Sequence, residues 1–465
     1  MDEKKQKAAH FARLLTFRDT FASHFQHLAT GGVWALSQPL ETRRNLIWFW
    51  FDGLFASGSD NVVGTYLVVY LLALGATQAQ IGLLSSLSSL SAAIMLLPGA
   101  WLVERIGRRR GIVLVGGGWA RVALLLLAIM PFLLTGNALI SVAIVLSISR
   151  DAMGNLSFPA WMSITGDIIP IEGRGRYFAS RNFIMGITGM IATFLVGLLI
   201  TRIPGVGGYQ FALGLAFLVG SFSIFSFGHI NDGQQITTPE TTAVVPDTAA
   251  SDPLAETPAL PKRPGVKENL TQDLRELLSH PEFIQFAVIS AFWNLSLNFA
   301  GPFFNVYLVK NLGANAAMVG LTAIASSISG MLIQYKLGEL NDRWGARKLV
   351  MVSGLLIPIL PLTWVFIKSA WYIIPINLLG GALWGAYNMG SFNYLLNILP
   401  QTRRARFSAV FQVVVTISLA IGAALGSLVV TRWGFAAVFA GSAIGRMAAA
   451  LLFARLSTRN KGVGR

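Results

Sequence analysis

The chain has no cysteine, and only 12% of its 465 residues are charged. The first absence excludes disulfides, thiolate metal sites and cysteine nucleophiles. Histidine is nearly absent too: there are five, and His10, His24 and His27 sit in the N-terminal stretch. No metal and no cofactor is therefore expected. No Gly-x-x-x-x-Gly-Lys-Ser/Thr loop occurs, which argues against an ATP-driven pump. No nucleophile-base pair is visible, so an enzyme is not expected. Acidic residues are scarce, 21 against 36 Lys and Arg. The basic residues are nowhere clustered with exposed aromatics, so nucleic acid is not an expected partner.

What the chain does have is hydrocarbon. With 54% hydrophobic residues it cannot hide its apolar side chains in one soluble core, and lipid must be the solvent. A span needs roughly 20 apolar residues. Twelve runs qualify, at about 46–73, 78–102, 111–132, 137–165, 175–202, 208–230, 281–309, 315–338, 348–368, 370–398, 406–431 and 433–455. The expected fold is an all-α integral membrane protein of twelve transmembrane helices.

An even count puts both termini on one side. Of the 36 Lys and Arg, 28 fall in the tails, the central linker, and the even-numbered loops with their flanks; Arg202, Lys310, Lys368 and Arg432 lie in the odd-numbered loops. By the positive-inside rule the tails and linker are cytoplasmic, in a plasma (inner) membrane whose anionic lipids face the +15 formal charge. Residues 1–45 are too charged at the start for a cleavable signal peptide. They read either as an amphipathic helix on the membrane (Phe11, Leu14, Leu15, Phe21 and Phe25 with Arg13 and Arg18) or as a disordered tail.

The chain is also duplicated. An offset of 238 places Gly75 on Gly313, Gly82 on Gly320, Ser88, Ser89 and Ser91 on Ser326, Ser327 and Ser329, and the loop from Ala100 to Arg110 on that from Gly338 to Lys348. A second register, offset 230, pairs Asp167, Pro170, Arg174, Arg176 and Tyr177 with Asn397, Pro400, Arg404, Arg406 and Phe407. Equivalent loops fall on the same side, so the halves are parallel repeats about an axis along the membrane normal. The expected organisation is a tail (1–45), a six-helix bundle (46–230), a linker (231–280), a second six-helix bundle (281–456) and a short tail (457–465). The linker holds six prolines from Pro239 to Pro264 among Thr, Ala and Asp, a composition that cannot bury enough surface to order itself.

The run Gly338-x-Leu340-x-Asp342-Arg343-x-Gly345-x-Arg347-Lys348 resembles the loop signature of the major facilitator superfamily, as does the six-plus-six arrangement around a cytoplasmic linker. The N-terminal copy departs from it, with Ala100 for the usual Gly and Glu104 for the usual Asp. A carboxylate here (Glu104, Asp342) can cap a neighbouring helix N-terminus, worth about 0.3 to 1 kcal/mol. The resemblance implies that Arg105 or Arg108, around Gly107, pairs with Asp167 as a latch. Asn397 takes the acid's place in the second half, so a charged latch is expected on the first side alone. The other reading is that these charges set topology and snorkel.

Charge at mid-bilayer costs roughly 2.5 to 3.5 kcal/mol per residue, which makes an intramembrane ion a functional candidate. The first half holds Asp52, Asp60, Arg121, Arg150 and Asp151. Asp60 and Arg150 should share a depth and pair. Asp151 points another way and would turn to Arg121. Leu146-x-x-x-Arg150-x-x-x-Gly154 is similar to the helix-four motif of proton antiporters in the superfamily, with Met153 at a position usually held by an amide. Helix five lacks the Gly-Pro pair of such exporters, which leaves direction open. Burial disfavours a charged carboxyl and a nearby Arg favours it, so a carboxyl alternating between water and Arg can load and release a proton. A fixed structural network is the alternative.

The second half has Arg446 as its deep charge; Lys336 is near a helix end. It carries stripes instead: Asn294, Asn298, Gly301 and Asn305; Ser326, Gly330 and Gln334; and Trp384, Tyr387, Asn388, Ser391 and Tyr394. Amides beside flat aromatics suit a neutral, polyhydroxylated or half-apolar solute, with interhelical bonding as the alternative. Pro302 beside Gly301 marks a plausible gate. The function expected is a monomeric secondary active transporter of a small organic solute, working by alternating access and coupled to protons. A facilitative uniporter and a non-transporting membrane sensor are the competing readings.

Overall fold

In hydrocarbon an unpaired backbone N–H or C=O costs several kcal/mol, so a chain this apolar closes its hydrogen bonds within helices. The computed structural model describes residues 28–232, 279–399 and 404–459, and these hold helix and no strand. The stretch from Phe11 to Phe25, the linker prolines, Pro400 and the side chains of Glu104, Arg404 and Arg406 lie outside what is described.

The first part contains α1 (Leu40–Ala73), α2 (Gln78–Ile106), α3 (Arg109–Leu133), α4 (Gly136–Ile168), α5 (Arg174–Arg202) and α6 (Gly207–Gly228). The second contains α7 (Pro281–Ala300), α8 (Phe303–Lys310), α9 (Ala316–Trp344), α10 (Ala346–Leu356), α11 (Ile359–Trp364), α12 (Ile373–Ile398) and α13 (Arg404–Arg459). Nine stretches among the described residues are long and apolar enough to cross a membrane. Large apolar side chains point outward, Phe132 at 78% and Leu332 at 77% exposure, as a multi-pass membrane protein requires.

Several boundaries differ from the sequence reading. α1 starts at Leu40, ahead of the predicted 46, because Pro39 needs no N–H at a helix start. Asn45 then pins this turn: its amide donates to Asn231 O (2.7 Å) and accepts from the Asn231 N–H (2.9 Å). The runs at 281–309 and 348–368 each break in two, at Pro302 and Pro358, where a missing N–H interrupts the ladder. The last two runs form α13, which turns at Gly434 (φ 79°).

The duplication extends to backbone detail. Gly75 (φ 96°) and Gly107 (φ 68°) have left-handed counterparts at the 238 offset, Gly313 (64°) and Gly345 (76°), a conformation glycine takes without a Cβ clash. Thr77 caps α2 by accepting from the Gln80 N–H, and Asn315, its counterpart, caps α9 by accepting from the Met318 N–H.

In the first part α1 packs on α5 and α6, α4 on α2 and α3, and α3 on α6; in the second, α7 packs on α13, α9 on α12 and α12 on α10. Two seams join the parts, α2 with α13 and α5 with α9. At the end carrying Gly75 and Gly313 one apolar core draws on both parts, including Val62, Tyr66 and Val196 with Phe303, Val319 and Phe439. Hydrogen bonds cross there from Ser86 Oγ to Ala420 O (2.9 Å) and from Ala317 N–H to Thr201 Oγ1 (3.0 Å). At the opposite end, which carries Arg108–Arg110 and Arg343–Lys348, the cores are separate: Phe49, Ile164 and Tyr177 in one part, Phe283, Phe407 and Phe453 in the other.

Candidate functional site

On α1, Asp52, Ala56 and Asp60 recur every fourth residue and so share a face. That face lines a cavity of about 760 Å³, closed by Arg121 of α3, Arg150 and Asp151 of α4, Arg181 of α5 and, from the second part, Gln412 and Thr416 of α13. Arg121 Nη1 donates to Asp60 Oδ1 (2.7 Å) and to Ser59 Oγ (3.0 Å). Arg150 Nη2 donates to the same Asp60 oxygen (3.1 Å), while its Nη1 donates to Asp151 Oδ1 (2.9 Å). Gly220 makes the first contact possible, since a Cβ there would stand 2.5 Å from Arg121 Cδ. The Asp60 side chain is still 49% exposed, so one carboxylate is held by two guanidiniums and open to the cavity.

This arrangement corrects one expectation. Asp151 takes Arg150, its own sequence neighbour, and not Arg121. The Cβ vectors of adjacent residues diverge on a helix, but a long guanidinium folds back across the open cavity wall, and Ser59 steers Arg121 to Asp60.

Asp52 is in a different setting. It is buried, accepts from Arg181 Nη2 (3.1 Å) and from Ser223 Oγ (2.7 Å), and Arg181 also donates through Nε to Phe49 O (3.1 Å). The Arg181 guanidinium lies 4.2 Å from the centre of the Phe49 ring, in space that any side chain at Gly53 would fill, a Cβ there being 2.7 Å from Nε. Sequence reasoning missed Arg181. It stands near the basic start of α5 and looks like one more positive-inside charge; the signal was Asp52, a buried acid without an assigned partner. Counting both pairs, the cavity wall carries Asp52, Asp60 and Asp151 against Arg121, Arg150 and Arg181, a balanced set.

The amides of the second half have other surroundings than the stripe suggested. Asn294 donates to Ser290 O of its own helix (2.8 Å). Asn298 ties the seam, donating to Leu419 O (2.8 Å) and Ser85 Oγ (3.3 Å). Asn305 lies beyond the break at Pro302, on α8, and Asn388 is exposed. Tyr387 stacks on Trp293 (4.5 Å between centres), and Trp384 meets the same ring edge-on. Arg446, buried above Trp384, donates to Leu297 O (3.3 Å). Gln334 does face open space, in a second cavity of about 790 Å³ between α1, α5 and α9. Periodicity showed which face is polar, not what lies opposite it.

The latch differs in its arginine. Arg109, not Arg105 or Arg108, pairs with Asp167 (2.5 Å) and donates to Ser163 Oγ (2.8 Å). Gly107 ends α2 in a left-handed turn, so α3 begins at Arg109 and its first turn, not the loop, meets the end of α4. Arg108 is exposed, and Arg105 lies over the Trp101 ring at 4.9 Å. In the second copy Asp342 and Arg343 are exposed, and Lys348 covers the Trp344 ring (4.8 Å). Gly338 is on α9, Gly345 shares the positive φ of Gly107 but has an extended ψ (152° against -13°), and Arg347 lies in the first turn of α10.

Solved structures of several transporters share this architecture. The nucleoside transporter NupG (D323A mutant) superposes with a TM-score of 0.67 at 12% identity, covering 88% of this chain and 99% of that one. A D-xylose-proton symporter gives 0.62 at 14% identity, with 88% and 96% covered. A bacterial homologue of the iron transporter ferroportin, in an inward-facing state, gives 0.64 at 15% identity, with 90% and 99% covered. No curated protein matches by sequence. Residues 66–440 match the MFS_1 like family, and the chain belongs to that family, whose fold is that of the major facilitator transporters.

Proposed function

We propose that the protein is a proton-coupled secondary active transporter of a small organic solute. Its twelve spans form two six-helix bundles that rock about the cavities between them, with the basic end in the cytoplasm. The separate cores at that end and the joint core at the other support a conformation open to the cytoplasm.

The observation that carries the coupling is the single Asp60 oxygen shared by Arg121 and Arg150 at a cavity wall of balanced charge. Protonating Asp60 weakens its hold on both guanidiniums, which keep Asp151 and Ser59 as partners, and leaves the wall one positive charge in excess. Such a charge is costly in a low-dielectric interior, so the protonation state is linked to how much water or solute reaches the wall. Asp52, sealed between Arg181 and Ser223, suits a structural role.

The fold neighbours, a nucleoside transporter and a D-xylose-proton symporter, suggest the first cargoes to test. Purified protein in proteoliposomes, given radiolabelled nucleosides, pentoses and small neutral amides under an imposed pH gradient, should accumulate one of them. Asp60→Asn should abolish the accumulation and spare counterflow. Full gradient-driven accumulation by Asp60→Asn would remove Asp60 as the carrier.

One observation favours a facilitative uniporter instead: Arg121 and Arg150 brace Asp60 from two neighbouring helices, as a fixed structural network would. In that case transport proceeds by counterflow with no response to the gradient in the unaltered protein.

A further inference from the structure

Helix α1 serves two cavities of opposite character. Asp52, Ala56 and Asp60 line the charged one, whereas Asn61 and Thr65, also four apart, line the cavity of about 790 Å³ whose other walls come from α5 and α9. One step along a helix turns the side chain by about 100°, so the consecutive residues Asp60 and Asn61 look into different spaces through one partition.

Among the described residues, the wall of the second space holds no charged side chain. It offers three amides, Asn61, Asn182 and Gln334, beside Phe183, Met190 and Met331. Asn61 Nδ2 donates to Ser57 O (2.9 Å) and Ser57 Oγ (3.1 Å), which leaves its carbonyl oxygen as the group without a described partner. Gly189 gives it room, since a Cβ there would be 2.5 Å from Nδ2. Asn182 and Gln334 are exposed to the space and bond to no described residue. The cavity is blind at the joint-core end, where Tyr66 donates to the carbonyl of Thr193, a lining residue (2.7 Å).

Unpaired amides favour an occupant that hydrogen-bonds, since apolar contact alone leaves them desolvated at a cost. The aromatic and thioether groups favour an occupant with an apolar face, and methionine adapts its shape to one. A net charge would find no counter-ion there.

We propose that this uncharged cavity, and not the charged one, seats the solute: a neutral molecule with an amide or hydroxyl edge and an apolar face. α1 is the wall through which its binding reaches Asp60. The assignment rests on the transport reading above.

The chain has no cysteine, so single-cysteine variants Asn182→Cys, Gln334→Cys and Asp151→Cys react with N-ethylmaleimide at one place each. The probes are uridine, N-acetylglucosamine and D-xylose as neutral solutes, with benzoate and choline as charged ones. At least one neutral probe should slow labelling at Asn182→Cys and Gln334→Cys and leave Asp151→Cys unaffected, while the charged probes slow neither of the first two. No protection by any neutral probe, or protection at Asp151→Cys in its place, overturns the assignment.

Uptake of the protecting probe, measured in parallel, separates this from the transport reading. Loss of one solute hydrogen bond in Gln334→Leu should raise KM about tenfold with the maximal rate kept. Normal uptake with an unchanged KM overturns the solute seat and leaves transport standing. Protection without uptake by the unaltered chain overturns transport and leaves the seat as a binding site.

Discussion

Arg121 and Arg150, from adjacent helices α3 and α4, donate to one and the same oxygen, Oδ1 of Asp60, at 2.7 and 3.1 Å. Neutralising that one carboxylate weakens both contacts together and leaves Arg121 with Ser59 and Arg150 with Asp151. With a gradient of one pH unit and one proton per solute, the unaltered protein should hold a concentration ratio of about tenfold, since one unit is worth about 1.36 kcal/mol. Asp60→Asn should hold none, with counterflow still measurable.

Asp52 and Arg181 are predicted to act on stability and not on coupling. Both side chains are nearly closed to solvent, at 8% and 6% exposure, and removing one partner of such a pair leaves an uncompensated charge worth about 3 to 5 kcal/mol. Arg181→Met should therefore lower the midpoint of thermal unfolding in detergent sharply. The double variant Asp52→Leu/Arg181→Met should recover much of the loss. A single variant as stable as the unaltered chain would contradict the pairing.

Three of the four arginines of the first motif, Arg105, Arg108 and Arg109, should separate cleanly. Arg109→Gln loses the contacts to Asp167 and Ser163; because Asp167 is 59% exposed, solvent screens the pair, and the cost should be about 1 kcal/mol. Arg105→Gln and Arg108→Gln, at exposed positions, should stay within about 0.5 kcal/mol of the unaltered protein. Chemical denaturation in a fixed detergent ranks the three.

At the joint-core end, the Tyr66 hydroxyl lies between two glycines, and a Cβ at Gly320 would come within 2.2 Å of it. Gly320→Ala is expected to loosen that closure. A cysteine placed at Ala316, 4% exposed in this conformation, should then label faster with a membrane-impermeant maleimide, and adding Tyr66→Phe should return the rate toward its starting value. No change in labelling would show that the contact does not hold the seam.

Much of this arrangement could be read in the sequence. The 238-residue offset anticipated the paired glycine turns and matches the Thr77 and Asn315 caps, because local backbone rules act alike on equivalent residues. The shared depth of Asp60 and Arg150 followed from counting along helices. What stayed hidden depended on contacts between helices. Arg108, Arg109 and Arg110 are alike in sequence, and only the left-handed turn at Gly107 decides which one reaches Asp167. Asn298 has the spacing of a solute ligand but donates to Leu419 O of its own part and to Ser85 Oγ across the seam, and nothing in its own helix says so. Arg181 was masked by its position beside other basic residues, although its tie to Asp52 spans 129 positions.

If the alternating access proposed above operates, the fused apolar core beneath Gly75 and Gly313 sets its terms. Under that reading a parted core faces an aqueous vestibule, so opening it costs the hydration of its apolar side chains, about 25 cal/mol per Å² exposed, besides close packing and the crossing hydrogen bonds. A reverse state would have to bring Phe49 and Tyr177 of one part against Phe283 and Phe407 of the other to offset that cost. On the transport reading proposed above, a proton or a bound solute would have to supply only the difference between the costs of these two closures.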